Sequence, residues 1–291
     1  VVLSVLCVGN LLAATPDRKE KWEKRDSSVR EMIEQGKKVS IHRIIKSADP
    51  ELIYSEGIKN YELQKWKKAS DLFDACQAYY VGEMREDSIA FFSARSKFKD
   101  RNYVDASMQL DEFRRKFGRS IFIEDAEAMY AMCQYYLSPG PTRDQTLTAQ
   151  AIVSLTNFIE RYPESKRVEA FNNIIEELTL RLHDKNFLNA YTYFKIQKYK
   201  SAVVAFKNAL KNYDNSSHRE QIMYYIVVSN YRLAHNSVEH KQADRYLAML
   251  DSYYSFIEEF PESKYTKEIN RYFKEAKDFI DKNKSSEQTE N

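Results

Sequence analysis

A helical signature, Ala-x-x-x-Phe-x-x-Ala, recurs along almost the whole chain and limits what it can fold into. Its clearest copy is Ala202, Phe206 and Ala209. Looser copies are Ala69/Phe73/Cys76, Ala106/Leu110/Phe113, Ala151/Leu155/Phe158 and Met249/Tyr253/Phe256. In each copy an aromatic residue follows eleven positions after the first member, at Tyr80, Phe117, Tyr162, Tyr213 and Phe260. Positions i, i+4 and i+7 share one face of a helix. A small residue there lets a neighbouring helix approach closely, and the large residue fills the space beside it. The steps between copies are 37, 45, 51 and 47 residues, long enough for a helical pair and unequal in length.

Small–large–small helix faces at such steps are the mark of tetratricopeptide (TPR) arrays, whose nominal repeat is about 34 residues. The expected fold is all-α, an α-solenoid of about five TPR-like hairpins ending in a capping helix. The repeats fall at 50–81, 86–117, 121–162, 165–213 and 219–260, with the cap at 264–282, so the array spans 48–282. With 6 Gly and 6 Pro among 291 residues, the chain favours helices over a sheet. Its charges nearly cancel, 45 basic against 43 acidic, which argues against a general nucleic-acid binder.

Asp49-Pro50-Glu51 reads as a helix start, with Asp49 as N-cap and Pro50 in the first turn. Ser138-Pro139-Gly140-Pro141 cannot continue a helix, so 138–144 is a loop expected to project from the array's edge. The longest helical run, from Ser165 to about Gln197, contains a candidate kink at 183–186. Phe158–Lys166 and Phe256–Lys264 repeat almost literally. There proline ends one helix, and Ser165 or Ser263 is expected to cap the next.

The ends read differently. Residues 1–14, VVLSVLCVGNLLAA, are too few to span a bilayer as a helix and suit a signal-peptide remnant. Cleavage after Leu-Ala-Ala at 12–14 and lipidation of Cys7 are the two processing routes. A plain apolar N-terminal helix of a cytosolic protein is the structural alternative. Residues 15–47 carry 10 Lys/Arg against 6 Asp/Glu and read as a polar tether with helical character around 29–35. The tail, 283–291, reads as disordered.

No catalytic constellation emerges. The five histidines are scattered, and no Walker loop, GxSxG or dinucleotide fingerprint is present. Glu176-Glu177 and Glu258-Glu259 suit solvated helix faces, and Cys76 and Cys133 suit buried thiols. The expectation is a protein that is not an enzyme and uses no cofactor or metal.

Four segments together give the chain a specific likeness. They are Lys46–Leu52, Arg143-Asp-Gln145 after the proline loop, Ile159–Lys166 and Glu259–Tyr265, and Asn236-Ser-Val238 adds to them. In this order and at these unequal steps, the chain resembles the BamD family over about residues 41–282. These are TPR lipoproteins of the outer-membrane β-barrel assembly machinery. Where the family carries a lipidated Cys shortly before the first repeat, this chain has Gly36–Ser40, and Cys7 lies far upstream.

The resemblance implies a membrane-associated scaffold at the periplasmic face of the outer membrane. Its C-terminal repeats would dock on the barrel-forming BamA-type subunit, alongside other components of the machinery. Its N-terminal repeats would help recognise unfolded outer-membrane proteins. By TPR register the inner-facing positions of the first two repeats are Tyr54, Ile58, Tyr61, Phe91, Arg95 and Phe98. Arg95 is expected to pair with a carboxylate, with Tyr54, Tyr61 and Phe91 packing the peptide. The plainer reading makes the rings inter-helix packing and Arg95 an ordinary surface residue. A second functional class is a periplasmic TPR adaptor for cell-envelope or peptidoglycan enzymes, and a third is a stabilising subunit of an enzyme.

Overall fold

The computed structural model describes residues 29–212 and 218–289, and all regular structure among them is helical. A short helix α1 (residues 29–34) precedes α2 (Ile41–Ser47), α3 (Pro50–Glu62) and α4 (Trp66–Gln77). Then follow α5 (Glu86–Lys99), α6 (Tyr103–Lys116) and α7 (Ile123–Leu137). These helices form one compact unit up to Tyr136. A second unit begins at Leu137 and holds α8 (Thr146–Arg161), α9 (Val168–Lys195) and α10 (Tyr199–Asn212). It continues with α11 (Arg219–His235), α12 (Glu239–Glu259) and α13 (Thr266–Thr289). Within each unit consecutive helices pack as antiparallel hairpins, α3 on α4 and α4 on α5, or α9 on α10 and α10 on α11. The fold is all-α and TPR-like. The division between units falls next to Ser138-Pro139-Gly140-Pro141, where the prolines remove backbone donors and halt helical pairing.

Local signals account for most helix ends. Asp49 caps α3, its side chain accepting from the Leu52 amide at 3.2 Å, with Pro50 as the first helical residue. Between the helices of three hairpins the chain turns through a left-handed residue that is not glycine. These are Gln64 (φ 55°), Arg101 (φ 62°) and Gln197 (φ 60°). Each opens the same pair of closing hydrogen bonds, such as Gln64 N–H to Tyr61 O at 2.9 Å and Lys65 N–H to Asn60 O at 2.8 Å.

Between hairpins a second corner recurs, an aromatic residue followed three later by serine. The Ser120, Ser165 and Ser263 amides donate to the carbonyls of Phe117, Tyr162 and Phe260 at 2.9, 3.0 and 3.3 Å. Each serine hydroxyl then accepts from the amide two residues on, at Phe122, Arg167 and Tyr265. The serines therefore shape the corner one turn before the helix and do not cap it, because the chain needs two further residues to turn.

The signature residues form the core. Ala69, Phe73, Cys76, Ala106, Leu110, Ala151, Leu155, Ala202, Phe206, Met249 and Phe256 are wholly buried, and Phe113, Phe158 and Ala209 nearly so. Tyr253 is half-buried, its hydroxyl donating to Asn270 Oδ1 at 2.7 Å. Phe117, Tyr162 and Phe260 stand at helix C-caps, whereas α4 already ends at Gln77, before Tyr80. Tyr213 lies outside the described residues.

Gly57 on α3 shows how close this packing is. A Cβ there would lie 3.0 Å from Phe73 Cε1, and that ring is held by Tyr54, Tyr61 and Phe92. Alanine would gain about 1 kcal/mol of helix propensity, against about 1–3 kcal/mol for overpacking. Gly57→Ala is therefore expected to lower the melting temperature. A rise would show that the Phe73 ring can yield.

Four further expectations change. The stretch expected as a tether is folded from Val29 onward: Val29 and Ile44 are buried against the α3–α4 core, and Arg30 pairs with Asp49. The high charge of 15–47 conceals these apolar positions, which α1 and α2 gather on one side. The 138–144 loop does not project freely. The Arg181 guanidinium of α9 donates to Ser138 O at 3.1 Å, Ser138 Oγ at 2.8 Å and Pro139 O at 3.3 Å, and Lys185 Nζ donates to Thr142 O at 3.3 Å. The helix is continuous through 183–186, and its middle turns serve as the loop's support. At the other end α13 runs to Thr289, past the start expected for the tail.

The final helix joins α11 through a seven-residue ladder. Tyr224 stacks on Tyr265 and Tyr231 on Tyr272, each pair 4.1 Å between ring centres. The Tyr224 hydroxyl donates to Glu268 at 2.9 Å and the Tyr231 hydroxyl to Glu275. Burial first, and the adjoining carboxylate second, push both phenol pKa values up.

Candidate functional site

Tyr54, Ile58 and Tyr61 lie at i, i+4 and i+7 on α3, and Phe91, Arg95 and Phe98 repeat the spacing on α5. All but Phe91 are half-buried. Phe91 is fully buried, stacked on Phe122 at 4.5 Å and packed against Phe113 at 5.9 Å. It is part of the floor and offers no ring face to a ligand. The reason is positional: α5 is flanked by α4 and α6, so it buries more of its circumference than a two-neighbour register assumes.

Phe92, which sequence reasoning passed over, meets Tyr61 at 5.1 Å and Phe73 at 6.0 Å. Tyr61 also meets Trp66 edge-on at 5.3 Å. Burial raises the Tyr61 pKa and the positive charge of Arg95 opposes that rise, so the guanidinium and the phenol share one environment. Arg95 also sits 5.9 Å from the Phe91 ring centre. This pairing of a cation with partly accessible rings is what a peptide carrying an aromatic side chain and a carboxylate would need.

Tyr54 stands at the opposite end of α3, where it shares the Phe73 ring with Tyr61 and joins a second, charged network. Arg85 lies 5.3 Å above its ring and donates to both Glu51 oxygens at 3.0 Å, one of which also accepts from Tyr80 at 3.0 Å. Burial and Glu51 push the Tyr80 pKa up to about 12. Phe98 belongs to a third group, 5.7 Å from Tyr103 and 6.1 Å from Tyr136, with Tyr103 and Tyr136 stacked at 4.5 Å. Tyr103 opens α6 and Tyr136 nearly closes α7, so no periodicity along one helix reveals that they meet.

Behind this face Asp74 ties α4, α5 and α6 together. It accepts from Ser93 Oγ at 2.5 Å, Gln109 Nε2 at 3.0 Å and Lys97 Nζ at 2.7 Å. Burial alone would raise its pKa, but the hydrogen bonds from Lys97, Ser93 and Gln109 outweigh that and lower it. A depressed folded-state pKa gives stability that is present above the unfolded value of about 3.9 and lost as pH falls through the folded value. Asp74→Asn is therefore expected to cost most at neutral pH and progressively less as the pH falls below the unfolded value and through the folded one. Urea titrations giving the same cost at neutral and acid pH would show that the charge is not what matters.

Cys76 and Cys133 are wholly buried and burial pushes both thiols up to about 12, so neither is a ready nucleophile. Among the described residues no group of three or more His, Cys, Asp or Glu is placed to hold a metal. Among them, too, no helix is long and apolar enough to cross a membrane. Cys7 lies outside the described residues.

A protein-family model described as YfiO, an outer membrane lipoprotein, matches residues 46–245. Relatives named outer membrane protein assembly factor BamD occur in Caulobacter vibrioides, 22% identical over 178 residues, and in Rickettsia prowazekii, 24% identical over 198 residues. The first match covers 61% of this chain and 58% of its relative, the second 68% and 77%. A relative of the same name in Helicobacter pylori is 24% identical over 118 residues, 40% of this chain and 54% of its own.

Proposed function

Because the chain belongs to the YfiO family of outer-membrane lipoproteins, we propose that it is a non-catalytic scaffold for assembling outer-membrane proteins. In this reading it works at the periplasmic face of the outer membrane, with unit 2 docking on a BamA-type barrel subunit. The inner face of α3 and α5 helps to recognise unfolded barrel proteins. The observation that carries the recognition role is Arg95, a half-buried cation beside Tyr61, with Tyr54, Ile58 and Phe98 on the same two stripes and Phe91 beneath.

An extended segment ending in an aromatic residue and a carboxylate would place its charge on Arg95 and its ring among Tyr61 and Phe92. Losing a charge-assisted contact of this kind costs about 1.5–3 kcal/mol, roughly tenfold or more in affinity. Titrating a barrel-derived C-terminal peptide into the Arg95→Ala protein measures this. Unchanged affinity would remove Arg95 from the site and leave it an ordinary surface residue. Docking is checked by co-purification from outer membranes, in which a large barrel protein with periplasmic domains should accompany the chain. Recovery with envelope enzymes in its place would favour an adaptor role.

A further inference from the structure

We infer that the edge of unit 1 from which the N-terminal segment leaves is a lipid-contact surface, inserting Val81, Met84 and Ile121 into the head-group layer of a bilayer. Single exposed apolar side chains are ordinary, but several on adjoining loops form a patch that calls for an occupant. Here Val81 is 67%, Met84 99% and Ile121 88% exposed. Val81 and Met84 stand on the loop between α4 and α5, and Ile121 on the loop between α6 and α7.

The loops are held together as one rim. Ser120 Oγ donates to Asp87 at 2.7 Å, the Gly82 amide donates to Glu86 at 2.9 Å, and Lys116 pairs with Glu86. A recess of about 620 Å³ lies between them, lined by Met84, Lys116, Phe117 and Arg119 among others.

The choice of a membrane over another occupant rests on where the chain enters this unit. Arg30 is paired with Asp49 at the start of α3, and Glu51, two residues on, is bound by Tyr80 and Arg85 of the α4–α5 loop. Residues 1–28 therefore lead into the fold on the same rim that carries the bare side chains. The first fourteen of those residues are the apolar stretch VVLSVLCVGNLLAA. A segment that brings the chain to a membrane would bring this rim with it. Among the rim's charges Arg85 is paired with Glu51 and Lys116 with Glu86, and Glu83 and Arg119 at the recess are of opposite sign. The attraction is thus apolar and should persist in salt. The inference relies on the membrane location in the proposed function, and vesicles test it without any assembly partner.

A Cys7→Ser chain carrying Met84→Cys takes a solvent-sensitive fluorophore at that site alone, since Cys76 and Cys133 are buried. With vesicles of phosphatidylethanolamine and phosphatidylglycerol, the label should shift to the blue and be quenched by brominated lipid at low and high salt. The same label at Val104→Cys, exposed on α6, should stay in water. Met84→Asp with Ile121→Asp in the full chain should weaken vesicle partitioning roughly tenfold, as partial burial of two such side chains implies. A label at position 84 that stays in water with vesicles overturns the inference. So does a label that responds only when solubilised outer-membrane proteins are added, which would make the occupant a protein. Co-purification with a barrel subunit is read separately, so failure of one test leaves the other standing.

Discussion

Phe206→Ala is expected to destabilise unit 2 by about 3–5 kcal/mol, the cost of deleting a fully buried ring that its neighbours cannot follow inward. Phe206 is wholly buried, stacked on Tyr225 at 5.6 Å and packed on Phe187 at 6.1 Å. Those rings belong to α11 and α9, so one side chain on α10 joins three helices. Neither can close the gap, because Tyr225 also packs on Tyr191 and Phe194, and Phe187 stacks on His218. Calorimetry should show the loss as a large fall in the unfolding temperature of unit 2. An unchanged transition would mean that the helical register is not the one described.

Arg181→Ala should be the next most damaging change, at about 2–3 kcal/mol, since a charged donor serves several part-buried acceptors. Its side chain also reaches Glu177 at 2.6 Å, but that exposed pair is worth little. The loss comes from Ser138 and Pro139, whose carbonyls would no longer be held against α9. The 138–144 loop should then open locally, and trypsin should cut after Arg143 much faster than in the parent protein. Equal cleavage rates would show that Gln145, which donates to the Gly140 and Arg143 carbonyls, holds the loop without Arg181.

The helices and most of the core were legible because the signature combines a period with a size requirement. Ala202, Phe206 and Ala209 could hardly all be small or large in the right order without facing a neighbour. The left-handed geometry of the turns inside the hairpins was not legible. Their left-handed positions are filled by Gln64, Arg101 and Gln197, where glycine would have announced them. The site was partly legible for a related reason. The stripes on α3 and α5 follow from spacing, but Phe91 and Phe92 are adjacent in sequence. Only the third neighbouring helix decides which of them is buried. Groupings made by helix ends, such as Phe98 with Tyr103 and Tyr136, leave no pattern along the chain. The Arg181 support was hidden by distance, since 43 residues separate it from Ser138.

The ladder between α11 and α13 carries a consequence for how the protein is made. Tyr224 and Tyr231 find their carboxylate acceptors on α13 and their stacking partners at Tyr265, just before it, and at Tyr272 within it, all more than thirty residues later in the chain. Until Glu268, Tyr272 and Glu275 have emerged, those phenols have nowhere to place their hydrogen bonds within the fold. A chain that stops at Phe260 would leave a face of α11 and α12 rich in bare rings, the kind of surface that chaperones and proteases recognise. Unit 2 thus closes only when α13 is in place to cover that face.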